Sequence, residues 1–119
     1  MTDPTYVVWI TTGDVALGGT DSNVYIMLFG QAGQTDWIHL PPRDIFAFEQ
    51  GSTDKFVLAA PDVGRLNRVC VAHDNSADSG WHVASVRVQH IASGEEWNLP
   101  INQWVGEEEA GRLVVCENC

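Results

Sequence analysis

The stretch TTGDVALGGTDSNVYIMLFG, residues 11–30, runs a loop with three glycines (Gly13, Gly18, Gly19) and two aspartates (Asp14, Asp21) into a segment of strand-like composition. Such a loop is suited to holding a hard cation. Ca²⁺ takes six to eight oxygens and mixes carboxylates with backbone carbonyls. Glycine lets those carbonyls turn inward at no steric cost. Leu17 and Gly19 can offer carbonyls, Thr20 a hydroxyl or carbonyl, and Asp21 a carboxylate. The competing reading is a connector in which Thr20 and Asp21 bond to nearby backbone N–H groups and fix the turn.

Other chemistries find less support. The four histidines, His39, His73, His82 and His90, form neither HExxH nor a helical i, i+4 pair. No GxSxG, GxGxxG or phosphate-binding Walker loop is present, so the chain reads as non-enzymatic. The three cysteines are an odd number, which argues against a complete disulfide framework. Cys70, between Val69 and Val71, reads as a small buried apolar side chain. Cys116 and Cys119 form CENC, spaced for a redox pair or half a zinc site. No second CxxC accompanies it, and a chance pair on a loose tail fits better.

Sixteen acidic residues against six basic ones give a net charge of −10. That excludes nucleic acid as a partner, since phosphate binding needs a basic stripe. Direct attraction to an anionic bilayer is disfavoured too, unless multivalent cations bridge the two surfaces. GEEEAG, residues 106–111, reads as a solvated loop. No apolar span is long enough to cross a membrane, and the N-terminus lacks the form of a signal peptide. With only three cysteines, the expectation is a soluble, membrane-peripheral chain in the cytoplasm.

The elements that must position the loop have period two. In NVYIMLFG (23–30), Val24, Ile26 and Leu28 fall on one face, and Tyr25, Met27 and Phe29 on the other. Segments 5–12, 35–40, 54–60, 66–73, 81–91, 95–100 and 111–118 continue the pattern, separated by Gly, Asn, Asp and Pro. IASGEEW reads as a hairpin turn with Gly94 at positive φ. The spacing predicts about eight antiparallel strands closing as a β-sandwich, a single domain over 1–119 with its core at about 6–115.

YVVWITTGDVALGGTDSNVYIMLFG resembles the first two strands of a PLAT domain, also called the lipoxygenase homology or LH2 domain. FEQGSTDKF (48–56), DVGRLNRVCVAHD (62–74), SGWHVASVRV (79–88) and EWNLPINQW (96–104) follow in the family's order. The resemblance implies an eight-stranded antiparallel sandwich with C2-like architecture. It also implies a non-catalytic module that binds Ca²⁺, at two or three sites, and then docks to a membrane or a protein partner.

By the same resemblance, the first loop works with HDNSADSGW. Asp78 matches its carboxylate and Ser79 a carbonyl, with Asp74 or Asn75 as alternatives. HLPPRDIF contributes Asp44 and the carbonyl of His39. Leu17 stands where some members carry Asp, and Ser22 where many carry a second acid. Asp54 reads as fixing a turn.

Among the tryptophans, Trp9 reads as core or sheet face, Trp97 and Trp104 as packing, and Trp81 as a structural plug. Leu17 and Trp37 are the candidate membrane contacts. One inserted side chain supplies only ~1.5–3 kcal/mol, so metal bridging must contribute as well. The alternative in a different class is a metal-independent interaction module using a sheet face or edge strand. A third is an accessory domain of a lipase- or lipoxygenase-type enzyme.

Overall fold

The alternation read from the sequence becomes two packed sheets in a computed structural model, which describes residues 3–15, 18–20, 22–41, 48–74, 80–105 and 114–119. Among these residues are nine strands: β1 (Tyr6–Thr12), β2 (Val24–Gly30), β3 (Gly33–Gln34), β4 (Ile38–Leu40), β5 (Thr53–Leu58), β6 (Leu66–His73), β7 (Trp81–His90), β8 (Glu96–Val105) and β9 (Val114–Asn118). The first sheet has the order β5-β1-β7-β8; the second runs β3-β2-β6-β9, with β4 also on β2. All pairings are antiparallel.

The inward set of each strand follows the predicted faces. Tyr6, Val8 and Ile10 of β1 and Val24, Ile26 and Leu28 of β2 are fully buried, against Val69, Val71, Val86, Val88 and Leu99. Tyr25, Met27 and Phe29 point to the outside of the second sheet, each half-buried. Trp81 is fully buried, and its indole N–H donates to Thr12 Oγ1 at 3.0 Å, so the plug reading holds. Trp9 lies on the outer face of the first sheet, beneath the Arg87 guanidinium at 4.4 Å.

Three features depart from the expectation. The expected strand at 35–40 is observed only as β4, and a separate short strand, β3, precedes it where a turn is expected. Thr35 causes the break between them, because its Oγ1 accepts the Leu28 N–H at 3.0 Å and donates to Asp36 O at 2.8 Å, replacing a backbone rung. The expected strand at 95–100 instead runs on to Val105. Pro100 is tolerated because β8 is an edge strand, and the register slips there against Val83–Ser85, with Asn102 at φ 49°.

The third departure concerns the cysteines. Cys70 and Cys116 face each other across β6 and β9 and form a disulfide, with Cα atoms 4.0 Å apart. Cys70 is therefore buried as half of a cross-link and not as a free apolar side chain. Cys116 pairs away from Cys119, which is free and exposed. Alternation places Cys70 and Cys116 on the outer face of the second sheet, beside Met27.

Gly94, at φ 75°, closes the β7–β8 hairpin as expected. Beside it, His90 Nε2 lies 2.9 Å from Asp62 Oδ2 and His90 Nδ1 lies 2.8 Å from Ser93 Oγ. Buried Tyr6 completes the cluster, its hydroxyl accepting the Val63 N–H and donating toward Gly64 O at 3.0 Å. Burial raises the Tyr6 pKa above its ordinary 10.0.

The hydrogen bond from His90, and then that from the Gly64 N–H, hold the Asp62 carboxyl below its ordinary 3.8. A lowered carboxylate pKa stabilises the fold above the unfolded value and ceases to do so as pH falls through the folded one. Melting temperatures taken from about pH 5 to about pH 2 are therefore expected to fall less steeply in Asp62→Asn than in the parent. Parallel curves would show that the cluster contributes nothing to acid stability. Asp62 is half-exposed, so the effect is modest.

Candidate functional site

The loop after β1 is fastened at each described point. Gly13 N–H donates to His82 O (2.9 Å), and His82 N–H to Gly18 O (2.9 Å). Thr20 N–H donates to Phe48 O (3.0 Å), and Ser22 N–H to Thr20 Oγ1 (3.0 Å). Asp74 N–H donates to Asn23 O, while the Asp74 carboxylate accepts the Asn23 backbone and amide N–H groups at 3.2 and 2.8 Å.

All three loop glycines are required by close approach rather than by unusual dihedrals, Gly18 because a Cβ there would sit 2.9 Å from Gly13 O. A Cβ on Gly19 would sit 2.8 Å from Phe48 O, and one on Gly13 would strike the His82 imidazole. The His82 ring, edge-on to Trp104, leaves its buried Nδ1 without a hydrogen-bond partner.

These bonds bring the ends of four acidic segments to one end of the sandwich. Val24 pairs with both Leu40 and His73, Ala72 with Val114, Thr12 with Val83, and Trp81 with Val105. The chain thus leaves and re-enters the strands at this end around residues 13–23, 41–52, 74–80 and 105–114. Beneath them lie Phe48, whose ring contacts those of Phe56 and Trp81, and His73, whose Nε2 is 2.7 Å from Val105 O.

The predicted ligands fare unequally. Leu17, Asp21, Asp44, Asp78 and Ser79, with the alternative Asn75, lie outside the described residues. Gly19 and Thr20 are placed together against Phe48, and Thr20 is buried. The Thr20 hydroxyl is engaged in the turn, as the connector reading expects, but the Gly19 and Thr20 carbonyls accept no hydrogen bond among the described residues. The His39 ring lies tilted against that of Tyr25, with centroids 5.3 Å apart, which leaves its main chain for any role in the loop cluster.

Asp74 is committed to Asn23. Asp54 fixes a turn as expected, accepting Phe48 N–H at 2.8 Å and the Ser52 hydroxyl at 3.1 Å. No group of three or more His, Cys, Asp or Glu side chains forms a metal cluster among the described residues. Trp37 is 41% exposed and borders, with Tyr25, Ala72 and Val114, a depression of about 350 Å³ on the outside of the second sheet.

One constellation escaped the sequence reading. Ser93, His90 and Asp62 are linked in the order of a nucleophilic triad, with the two imidazole nitrogens exchanged. The Glu95 N–H is spent on Ser93 Oγ and the Gly94 N–H on His90 O, so neither is left to stabilise an oxyanion. The trio fastens a turn. Only the structure reveals it, because Asp62 comes from the β5–β6 connection, His90 from the end of β7 and Ser93 from the β7–β8 turn.

The PLAT/LH2 domain model matches residues 6–115. Human lipoxygenase homology domain-containing protein 1 is 36% identical over 110 residues, covering 91% of this chain and 5% of that protein. Human polycystin-1-like protein 1 is 34% identical over 109 residues, covering 90% of this chain and 4% of that one. The chain thus spans about a twentieth of these relatives. Among solved structures, coral 8R-lipoxygenase superposes with a TM-score of 0.82 at 26% identity, covering 93% of this chain and 16% of that one. Architecture, order of motifs and relatives agree: the chain belongs to the PLAT/LH2 domain family.

Proposed function

We propose that this chain is a non-catalytic docking module whose loop end binds Ca²⁺ and then engages an anionic lipid surface or a partner protein. The observation that carries the reading is the pair of carbonyls at Gly19 and Thr20, which accept no hydrogen bond among the described residues, held at the end where the acidic segments leave and re-enter the strands. The donor set is all oxygen: carboxylates of Asp21, Asp44 and Asp78, and carbonyls of Leu17, Gly19, Thr20, His39 and Ser79. Hard oxygen donors in irregular geometry fit Ca²⁺ in preference to zinc or copper. The solved coral enzyme is described as calcium-activated through a C2-like domain, which supports the same reading here.

Bound Ca²⁺ would neutralise clustered carboxylates and present positive charge beside Leu17 and Trp37. The net charge of −10 makes lipid attraction local to that end and sensitive to salt. The Cys70–Cys116 disulfide favours an oxidising compartment over the cytoplasm.

A calorimetric Ca²⁺ titration of metal-stripped protein is expected to show micromolar-to-millimolar binding, lost in Asp21→Ala and Asp78→Ala. Sedimentation with anionic vesicles should then require Ca²⁺. Unchanged affinity in both variants would refute the ligand assignment. Calcium binding without vesicle binding would leave a protein partner as the target.

A further inference from the structure

β5 is an edge strand, and its hydrogen-bonding phase shows which of its backbone groups are free. Thr12 N–H reaches Ser52 O at 2.9 Å, and Thr5 N–H reaches Leu58 O at 2.8 Å. With the register Tyr6↔Leu58 through Thr11↔Thr53, the inward residues Asp54, Phe56 and Leu58 therefore exchange backbone bonds with β1. The N–H and C=O groups of Thr53, Lys55 and Val57 point the other way, to an open side of the sandwich. None of these residues makes a further hydrogen bond through its backbone.

That side is hollow. A groove of about 710 Å³ separates β5 from β4, which among the described residues likewise pairs with one strand, β2, and Ile38, Leu40, Phe56 and Leu58 line its apolar walls. Val57, on the outer side of β5, is 57% exposed.

We infer that β5 is a strand-addition site for an extended segment of a partner protein that carries an acidic residue opposite Lys55 and apolar residues on its inward side. Free N–H and C=O groups at strand spacing are matched by another backbone and not by a lipid chain. The side chains come from the cross-strand rows. Asn98, Arg87, Trp9 and Lys55 form one row across β8, β7, β1 and β5.

In that row Arg87 is neutralised by Glu96, at 2.6 Å, whereas Lys55 lies over Trp9 and makes no ion pair among the described residues. The next position in the row belongs to the partner and calls for Asp or Glu. Its neighbours in sequence face inward, where the groove takes apolar side chains, and the residue opposite Val57 is apolar as well. A second copy of this chain is disfavoured. Self-pairing of β5 about Lys55 would set lysine against lysine, between bodies each carrying −10. Lysine on an edge strand can serve only to discourage aggregation, and the experiment separates that role from recognition.

The probe is a short end-blocked peptide alternating valine with, in turn, valine, glutamate and threonine, which meet Val57, Lys55 and Thr53 on antiparallel addition, compared with one carrying lysine for the glutamate. The glutamate peptide is expected to bind saturably and to slow hydrogen exchange at the Lys55 and Val57 amides. Lys55→Glu should exchange the preference between the two peptides. Val57→Pro removes only an N–H that β1 does not use, so the fold should survive, as circular dichroism checks, while affinity falls about tenfold or more.

No binding of either peptide up to about 1 mM would overturn the proposal, as would binding indifferent to both substitutions. Protection confined to other strands would overturn it too.

Discussion

Trp81→Ala is expected to lower the unfolding free energy by about 3–5 kcal/mol, the range for deleting a large aromatic side chain from a packed core. Trp81 is fully buried at the first position of β7, so its removal leaves a cavity bounded by β-strand backbones that cannot collapse into it. Two further losses add to the cavity. Thr12, itself fully buried, would lose the indole donor at 3.0 Å, and Phe48 would lose its edge contact at 5.5 Å.

Trp81→Phe separates these contributions. It keeps most of the volume and loses the hydrogen bond, so a loss of about 1–2 kcal/mol is expected. Denaturant titration reads both variants, as a shift in midpoint at constant slope. A loss under about 1 kcal/mol in Trp81→Ala would show that this end of the core is loosely packed.

Replacing both Cys70 and Cys116 with alanine is expected to cost roughly 2–4 kcal/mol, because the bridge closes a long loop of chain in the unfolded state. The two cysteines are 46 residues apart in sequence. Reduction of the parent protein should bring its stability to that of the double variant. Thiol titration in denaturant gives an independent check: one reactive thiol, Cys119, is expected before reduction. Proteolytic fragments should stay joined through Cys70 and Cys116 until a reductant is added. Fragments joined through Cys116 and Cys119 would contradict the register of β6 and β9.

That bridge also marks where sequence reasoning stops. Alternation alone separates Val24, Ile26 and Leu28 from Tyr25, Met27 and Phe29, because a strand's two faces are written in its own residues, and the structure shows the first set to be the buried one. Which strands lie side by side, and in what register, is not so written. The pairing of Cys70 with Cys116 depends on β9 adding to β6, and the open edge at Lys55 on β5 ending the first sheet.

The continuation of β8 past Pro100 was hidden for a related reason: proline reads as a stop unless the strand is known to be an edge. The break at Thr35 depends on one hydroxyl finding one N–H across a hairpin. At the candidate metal site, glycine reads as freeing carbonyls to turn inward, whereas the structure requires Gly19 for its close approach to the Phe48 backbone. Of the carboxylates drawn from the family resemblance, Asp44 and Asp78 lie outside the described residues, and the alternative Asp74 is bonded to Asn23.

The position of the bridge within β9 has a mechanical consequence. Among the described residues β6 is the one strand to which β9 is hydrogen-bonded, so tension arriving at Asn118 would peel it like a zipper, opening the pair Asn118↔Arg68 and then Glu117↔Val69. The next pair is Cys70↔Cys116, where the load passes from hydrogen bonds to a covalent link. Beyond that point the force acts on β6, an interior strand flanked by β2 and β9, and must shear whole ladders at once. Val115, packed in the core behind the bridge, is shielded from the pull.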